Sequence, residues 1–325
     1  MHKTNHTTRI VVTVLLVIGI VLPIFLRNNS YYMDILINVS IFVILAAALN
    51  LLLGFTGQIS MGQAAFFGLG AYTATLLRMK LDIPFIPAMI GAVLLCFAVG
   101  LLFGIPSTRM NAIFLSIATA GLNSIVVLLL KNLRSLTNGS SGITRIPNVL
   151  LFGEKMNKLE YYYMTLFFVL LILLICYRIF YSKSGRAFMA IKGNPIAASS
   201  MGINVFRYKL LVFAIGAAFS AVAGTLYAFN IRFISPDAFT STTSIKILSA
   251  TIIGGMGDLF GPLCGAVVIG TLPEILGNYP ALQITLYGAF IVLILRFMPG
   301  GIMSVIRKLI RKWQNRNNRK GGSEQ

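Results

Sequence analysis

The chain has 325 residues, of which 57% are hydrophobic and only 11% charged. Soluble domains carry about 25% charged residues, so this composition excludes an ordinary water-exposed surface and points to one that faces lipid. The formal net charge of +19 does not indicate nucleic acid, because the basic residues sit in short loops between apolar runs and form no solvated face with stacking aromatics.

A helix needs about 20 apolar residues to cross a bilayer, with about 17 as a lower limit. Ten candidate spans follow in chain order: 10–26, 34–53, 63–77, 84–104, 112–130, 161–180, 208–229, 240–256, 260–276 and 281–298. The first has the look of a signal peptide, but its apolar run is longer than a usual h-region and no A-x-A-like cleavage site follows, so it is read as a retained helix. Segments 63–77, 240–256 and 260–276 are short or glycine-broken. Cys96, Cys176 and Cys264 lie singly inside apolar segments and read as packing residues. The predicted fold is all-α: a polytopic integral membrane protein with about ten transmembrane helices over 1–306. A basic cytoplasmic tail follows at 307–325, with an interfacial amphipathic helix predicted at 305–313.

Orientation follows from Lys and Arg. With the N-terminus placed inside, that side holds Lys3, Arg9, Arg109, the basic cluster in 178–209 and the one in 307–320, and the opposite loops hold fewer. The asymmetry predicts both termini in the cytoplasm. Two loops are long: 131–160 outside, with the turn-rich run Thr137-Asn138-Gly139-Ser140-Ser141-Gly142, and 181–207 inside.

Within the inner loop, Asn194 suits an N-cap and Pro195 the first helical position, where the N–H it lacks has no partner in any case. Residues 196–201 are Ala-rich, and Gly202 offers a left-handed stop. A helix of about two turns is too short to be stable alone. It must pack on the chain's own membrane ends or dock on a partner, and composition leaves both open.

Two stretches are rich in glycine. Residues 50–70 hold Gly54, Gly57, Gly62, Gly68 and Gly70 among Asn50, Gln58, Ser60 and Gln63; residues 254–265 hold Gly254, Gly255, Gly257, Gly261 and Gly265. Glycine eases close helix approach and local unwinding, and paired glycine-interrupted segments in a transporter point to its translocation path. The path candidates are therefore Asn50, Gly57, Gln58, Ser60, Gln63, Gly254, Gly255 and Gly257, with Thr119 and Asn123 from the fifth segment. Tight packing is the plainer alternative for each glycine, as hydrogen bonding to a neighbouring helix is for Gln58, Ser60 and Gln63. Residues 54–62 are no phosphate cradle, since no Gly-Lys-Ser/Thr follows. His2 and His6 lie near the N-terminus without convergent partners and are read as solvated, not metal-binding.

Four pieces of the chain resemble LivM-like permeases of the branched-chain amino acid ABC importer family. The first runs from Leu49-Asn50-Leu51 through Gly54-Phe55-Thr56-Gly57-Gln58-Ile59-Ser60-Met61-Gly62-Gln63 to Ala71-Tyr72. The second is Arg186-Ala187-x-x-Ala190-Ile191-Lys192, Asn194-x-x-Ala197-Ala198 and Met201-Gly202-Ile203-Asn204. The third is Ile253-Gly254-Gly255-Met256-Gly257-Asp258-Leu259-Phe260-Gly261-Pro262, and the fourth Phe297-x-Pro299-x-Gly301. Together they cover roughly 35–302. The resemblance implies a permease subunit in a bacterial cell membrane that translocates branched-chain amino acids by alternating access. ATP and Mg would be bound by a separate ATPase, with no cofactor in this chain. It also implies a second homologous permease, two cytoplasmic ATPase subunits, an extracytoplasmic substrate-binding protein and surrounding lipid as partners. The inner loop would dock on the ATPase through Arg186, Asn194, Pro195, Ile196, Ala197, Ala198, Met201 and Gly202, with Ala197 and Ala198 allowing close approach. Loop 131–160, with more basic residues than its Glu154 and Glu160, is the candidate surface for an acidic binding protein, a lid over the outer vestibule being the alternative.

The chain departs from the family in two places. Pro195 stands where members often carry an acid, and there is neither a Glu near Ser124 nor an Arg near Val127, so a buried pair suited to an amino acid is not visible. This keeps a urea or short-amide permease of the same fold as an alternative. An ion-coupled secondary transporter is a further one, but the acids Asp34, Asp82, Asp237 and Asp258 fall at helix ends or loops, and only Glu274 sits within an apolar segment. A simple channel would have no use for the capped inner helix.

Overall fold

The structure is a computed structural model that describes residues 19–27, 29–108, 110–151, 154–275, 285–286, 288–289, 292–293, 296–297 and 300–305. Most of the spans expected at 10–26 and 281–298, and the tail 307–325, lie outside these residues.

Helix α1, Ser30–Asn50, is an apolar run started by Asn29, whose side chain accepts a hydrogen bond from Tyr31 N. It continues as a π-helical turn, Leu51–Phe55. Helix α2, Gln63–Leu81, runs past the expected 77 because Arg78 pairs with Asp82 (2.8 Å), and Asp82 takes the left-handed conformation that ends the helix. Then come α3, Phe85–Ser107, and α4, Ala112–Asn132. After the long loop, α5, Lys158–Tyr181, opens on a reciprocal capping box between Asn157 and Glu160, and Lys158 pairs with Asp34 at the start of α1. Two helices fill the second loop, α6, Lys183–Gly193, and α7, Pro195–Ser200. The last elements are α8, Val205–Ile231, α9, Ser241–Gly254, and α10, Gly261–Ile275.

Five stretches are long and apolar enough to cross a membrane: Ser30–Phe55, Phe85–Pro106, Ala112–Asn132, Lys158–Tyr181 and Val205–Ile231. The first and last are the bundle's axis, with 72% and 78% of their most apolar window buried. The other three expose Leu94, Leu102, Ile113, Ile117, Phe167 and Leu174, an apolar surface suited to lipid tails and too extensive for a water-soluble protein. The all-α, multi-pass reading holds. Helices α9 and α10 have 14 and 15 residues, short of a full span. The chain between them breaks because Gly255 and Gly257 adopt positive φ (121° and 79°). The sequence reading missed two small strand pairs. β1, Ile143–Thr144, pairs antiparallel with β4, Phe233–Ile234, and β2, Leu150–Leu151, pairs with β3, Glu154–Lys155. Two-residue strands carry no alternation that a sequence can display.

The centre is built by close backbone approach. A methyl on Gly70 would stand 2.7 Å from Ala221 O, and one on Gly224 would overlap the Phe67 carbonyl oxygen and stand 2.8 Å from Ala71 N. Helices α2 and α8 therefore touch main chain to main chain, the packing that small residues permit between apolar helices. Around this contact Phe66 meets Phe213 edge-on at 5.8 Å, and Tyr161 Oη donates to Leu226 O at 2.6 Å. Gly224→Ala is expected to lower stability by about 1–3 kcal/mol through overpacking, read as a lower melting temperature of the purified protein in detergent. Gly121→Ala is the control: nothing lies within 4 Å of its added methyl, and it should leave the melting temperature unchanged or raise it, since Ala is the better helix former by roughly 0.5–1 kcal/mol.

Candidate functional site

Glycine-rich segments far apart in sequence meet in space. Gly54, in the π-helical turn, lies against Gly257: a methyl on Gly54 would be 2.5 Å from Gly257 N, and one on Gly257 would be 2.9 Å from Gly54 O. Asn50, 2% exposed, bridges the two segments. Its Nδ2 donates to Asp258 O (2.8 Å) and its Oδ1 accepts from Gly257 N (2.8 Å), across 208 and 207 residues of sequence. Gly255 in turn packs on the 300–301 peptide, where its added methyl would be 2.7 Å from Gly300 O. Gly254 packs against Gly261.

Between the π-helical turn and α2, residues 57–62 run as non-helical backbone that is largely buried. Such backbone must find hydrogen bonds from side chains or neighbouring chain. Gln58 N donates to Leu52 O (3.0 Å), Met61 N to Thr119 Oγ1 (2.9 Å), Gly62 N to Ser60 Oγ (3.3 Å) and Ala64 N to Ser244 Oγ (3.2 Å). Gln63 Oε1 accepts from Ser220 Oγ at 2.6 Å, and Asn123 Nδ2 reaches Ser241 Oγ at 3.5 Å. The structure thus brings Gln58, Ser60, Gln63, Thr119 and Asn123 into one buried polar seam, and the Asn50–Gly257 bridge lies at the start of the π-helical turn that leads into it. Gln58 Nε2 and Asn123 Oδ1 are buried without a hydrogen-bond partner among the described residues, the kind of cost native structures keep at working sites. Ser220 and Ser244 belong to this seam, with the exposed Ser241 at its Asn123 end, but none was singled out from sequence, since isolated hydroxyls on apolar helices are common and often bond their own backbone.

The inner loop is more structured than expected. Asn194 is extended, and its Oδ1 accepts from Ile196 N (2.9 Å) and Ala197 N (3.2 Å). Pro195 opens α7, and Gly202 has φ +82°. The cap, the proline and the glycine stop all stand where the residues predict them. The preceding stretch, read as connection, is the helix α6. It is capped by Ser182, and it buries Ala187, Phe188 and Ile191 against the bundle. Arg186 stands exposed on α6, not on the short helix. Ala198 is 2% exposed, packed on its own chain, whereas Ile196 and Met201 are 80% and 82% exposed. Close approach by a partner would therefore run over Ile196, Ala197 and Met201. Lys192, near the end of α6, donates from Nζ to Gly54 O at 2.7 Å and lies beside Gly57 (φ +72°). It ties the loop to the glycine contact.

A cavity of about 450 Å³ lies among α1, α2, α8, α9 and α10, lined by Asn38, Phe67, Tyr227, Asp237, Thr243 and Lys246 among others. None of the path candidates taken from the glycine-rich segments lines it. Its walls come from five helices and the turn before α9, so no single stretch of sequence announces it. Asp237 Oδ1 is held by Lys131 Nζ at 2.7 Å, which ties the last turn of α4, where the long outer loop begins, to the cavity's edge.

Comparison with known proteins agrees with this architecture. The profile of the family described as "Branched-chain amino acid transport system / permease component" matches residues 31–297. The high-affinity branched-chain amino acid transport system permease protein LivM of Salmonella typhimurium is 31% identical, with 90% of this chain and 74% of the relative covered. The permease protein LivH of the same organism is 26% identical over 81% of this chain and 91% of the relative. A probable LivM from Methanocaldococcus jannaschii is 26% identical over 66% and 67%. No solved structure matches significantly.

Replacing Asn50 by Leu keeps the branched shape but leaves the half-buried Gly257 N–H and Asp258 carbonyl without their partner. Each such loss costs about 1–3 kcal/mol, so Asn50→Leu should unfold in detergent at a clearly lower temperature than wild type. Asn50→Asp, which keeps the acceptor for Gly257 N, should fall between the two.

Proposed function

Since the chain belongs to the family of branched-chain amino acid transport system permease components, and is a multi-pass permease subunit of an ABC importer and not an enzyme, we propose that it passes leucine, isoleucine and valine through the cell membrane by alternating access. ATP and Mg are bound and used on two separate cytoplasmic ATPase subunits. A second homologous permease completes the pathway, and an extracytoplasmic binding protein delivers the substrate. That LivM and LivH proteins both align with this chain supports pairing with a homologous subunit. Both termini and the α6–α7 loop face the cytoplasm, in keeping with the basic residues of 178–209.

The observation that carries this reading is the pair of exposed apolar side chains, Ile196 and Met201, on a short capped helix outside the bundle. Two large apolar groups held out in water on a rigid element suit anchors that fill a partner's pocket. Through Lys192 and its bond to Gly54 O, a push on α6 and α7 reaches the point where α1 meets the 254–258 turn. Loop 131–160, which leaves α4 beside the Lys131–Asp237 pair, is the surface offered to the binding protein on the other face.

Ile196→Asp combined with Met201→Asp should leave membrane insertion and yield intact, because neither side chain packs inward. It should abolish co-purification of the ATPase subunits and ATP-driven uptake of radiolabelled leucine. Normal uptake would remove the docking role. Lys192→Met should leave the ATPase bound but lower the leucine carried per ATP hydrolysed, by about 2- to 30-fold for a coupling contact. Uptake by the complete transporter, compared among leucine, isoleucine, valine and urea, tests the substrate: uptake of urea alone would overturn the branched-chain reading.

A further inference from the structure

The cavity lies at the end of the bundle remote from the docking loop. Asn38 stands twelve residues before Asn50 along α1, about 18 Å away at 1.5 Å per residue, and Asn50 marks the end that Lys192 touches through Gly54. Tyr227 belongs to the last two turns of α8, a helix that begins directly after the loop helices. At about 450 Å³ the space falls within the roughly 300–1,000 Å³ of small-molecule sites, which are mainly apolar with a few convergent polar groups.

Its lining has the three parts that a small aliphatic zwitterion requires. Ile41, Phe42 and Phe67 form an apolar wall. Lys246 brings a positive charge from within α9, where a cation among membrane helices is costly and is kept for a purpose. Asp237 brings a negative charge at the rim, its Oδ1 paired with Lys131. A neutral amide such as urea has no carboxylate for Lys246 to meet. We propose that this cavity is the permease's own binding site for the amino acid, with Lys246 as the residue that selects for the α-carboxylate and the Phe67 side as the seat of the branched side chain. The inference rests on the branched-chain reading above. It places the opposite charges that the fifth span lacks on α9 and on the turn before it.

The test is photolabelling of the complete transporter in native membranes with photo-leucine, a diazirine amino acid whose carboxylate and ammonium are intact, with labelled peptides mapped by mass spectrometry. Wild type should be labelled on peptides holding Ile41, Phe42 or Phe67. Leucine should compete, and isoamylamine, which has the side chain and ammonium but no carboxylate, should not. Lys246→Met should lose about tenfold or more of the labelling, as expected when a charged hydrogen-bond partner is removed, and Lys246→Arg should keep most of it. Equal competition by isoamylamine in wild type would overturn the role of Lys246 without relying on any variant, as would full labelling of Lys246→Met. Uptake of labelled leucine by the same membranes is measured in parallel. Uptake with labelling elsewhere overturns the site and leaves the substrate standing, whereas absence of uptake overturns the substrate reading and the site with it.

Discussion

The contact on which the rest of the structure depends is that of Gly54 with Gly257, with the Asn50 side chain bridging from α1 to the 257–258 peptide. Between helices already surrounded by lipid, burial of apolar side chains provides little net attraction, and association rests on close packing and interhelical hydrogen bonds. Here both occur at one point. The glycines let two backbones approach to a distance that any Cβ would forbid. The carboxamide then satisfies one donor and one acceptor that the broken helix between α9 and α10 leaves open.

Several irregularities follow from that contact. Helices α9 and α10 are too short to stand as full spans, and they are held by their turn: Gly257 against Gly54, Gly255 against Gly301, Gly254 against Gly261. Helix α1 ends in a π-helical turn, a geometry that appears mostly as single turns at functional sites. The buried segment 57–62 is tolerable because hydroxyls of Thr119 and Ser60 receive its N–H groups, and Ser244 receives that of Ala64 in the first turn of α2. Apolar replacement of those hydroxyls would leave backbone donors without water or partner, which accounts for a polar seam inside so apolar a chain.

What could be read from the sequence was what local chemistry determines. Apolar runs placed α4, α5 and α8 within a few residues, and Asn194, Pro195 and Gly202 fixed α7 residue by residue, because caps act over one turn. The glycine-rich stretches could be recognised as special, and Asn50 as belonging with them, but not that Asn50 would meet Asp258 across 208 residues. Helix α6 escaped because its amphipathic pattern is short and basic, like that of a connecting loop. Ala197 and Ala198 look alike in sequence, yet one is exposed and the other packed on its own chain, since a single turn of helix decides which face is which. The cavity escaped because its walls are assembled from five helices and a turn, and its charges, Lys246 and Asp237, are nine positions apart, one on α9 and the other on the turn before it.

The placement of the parts sets how force can pass through the fold. At one end Lys192 joins the loop helices to Gly54; at the other, α9 carries Lys246 on the cavity wall. Helix α9 also ends at Gly254, beside the turn that Gly54 and Asn50 hold. A displacement of α6 therefore acts on the lower end of the same short helix whose upper part lines the cavity. A helix of 14 residues moves as one rigid piece, and glycines at its base allow that base to shift without breaking side-chain packing. On the proposed docking and binding roles, energy entering at the loop and a solute held at the far end would be joined through one element, α9, with the Asn50 bridge as its pivot.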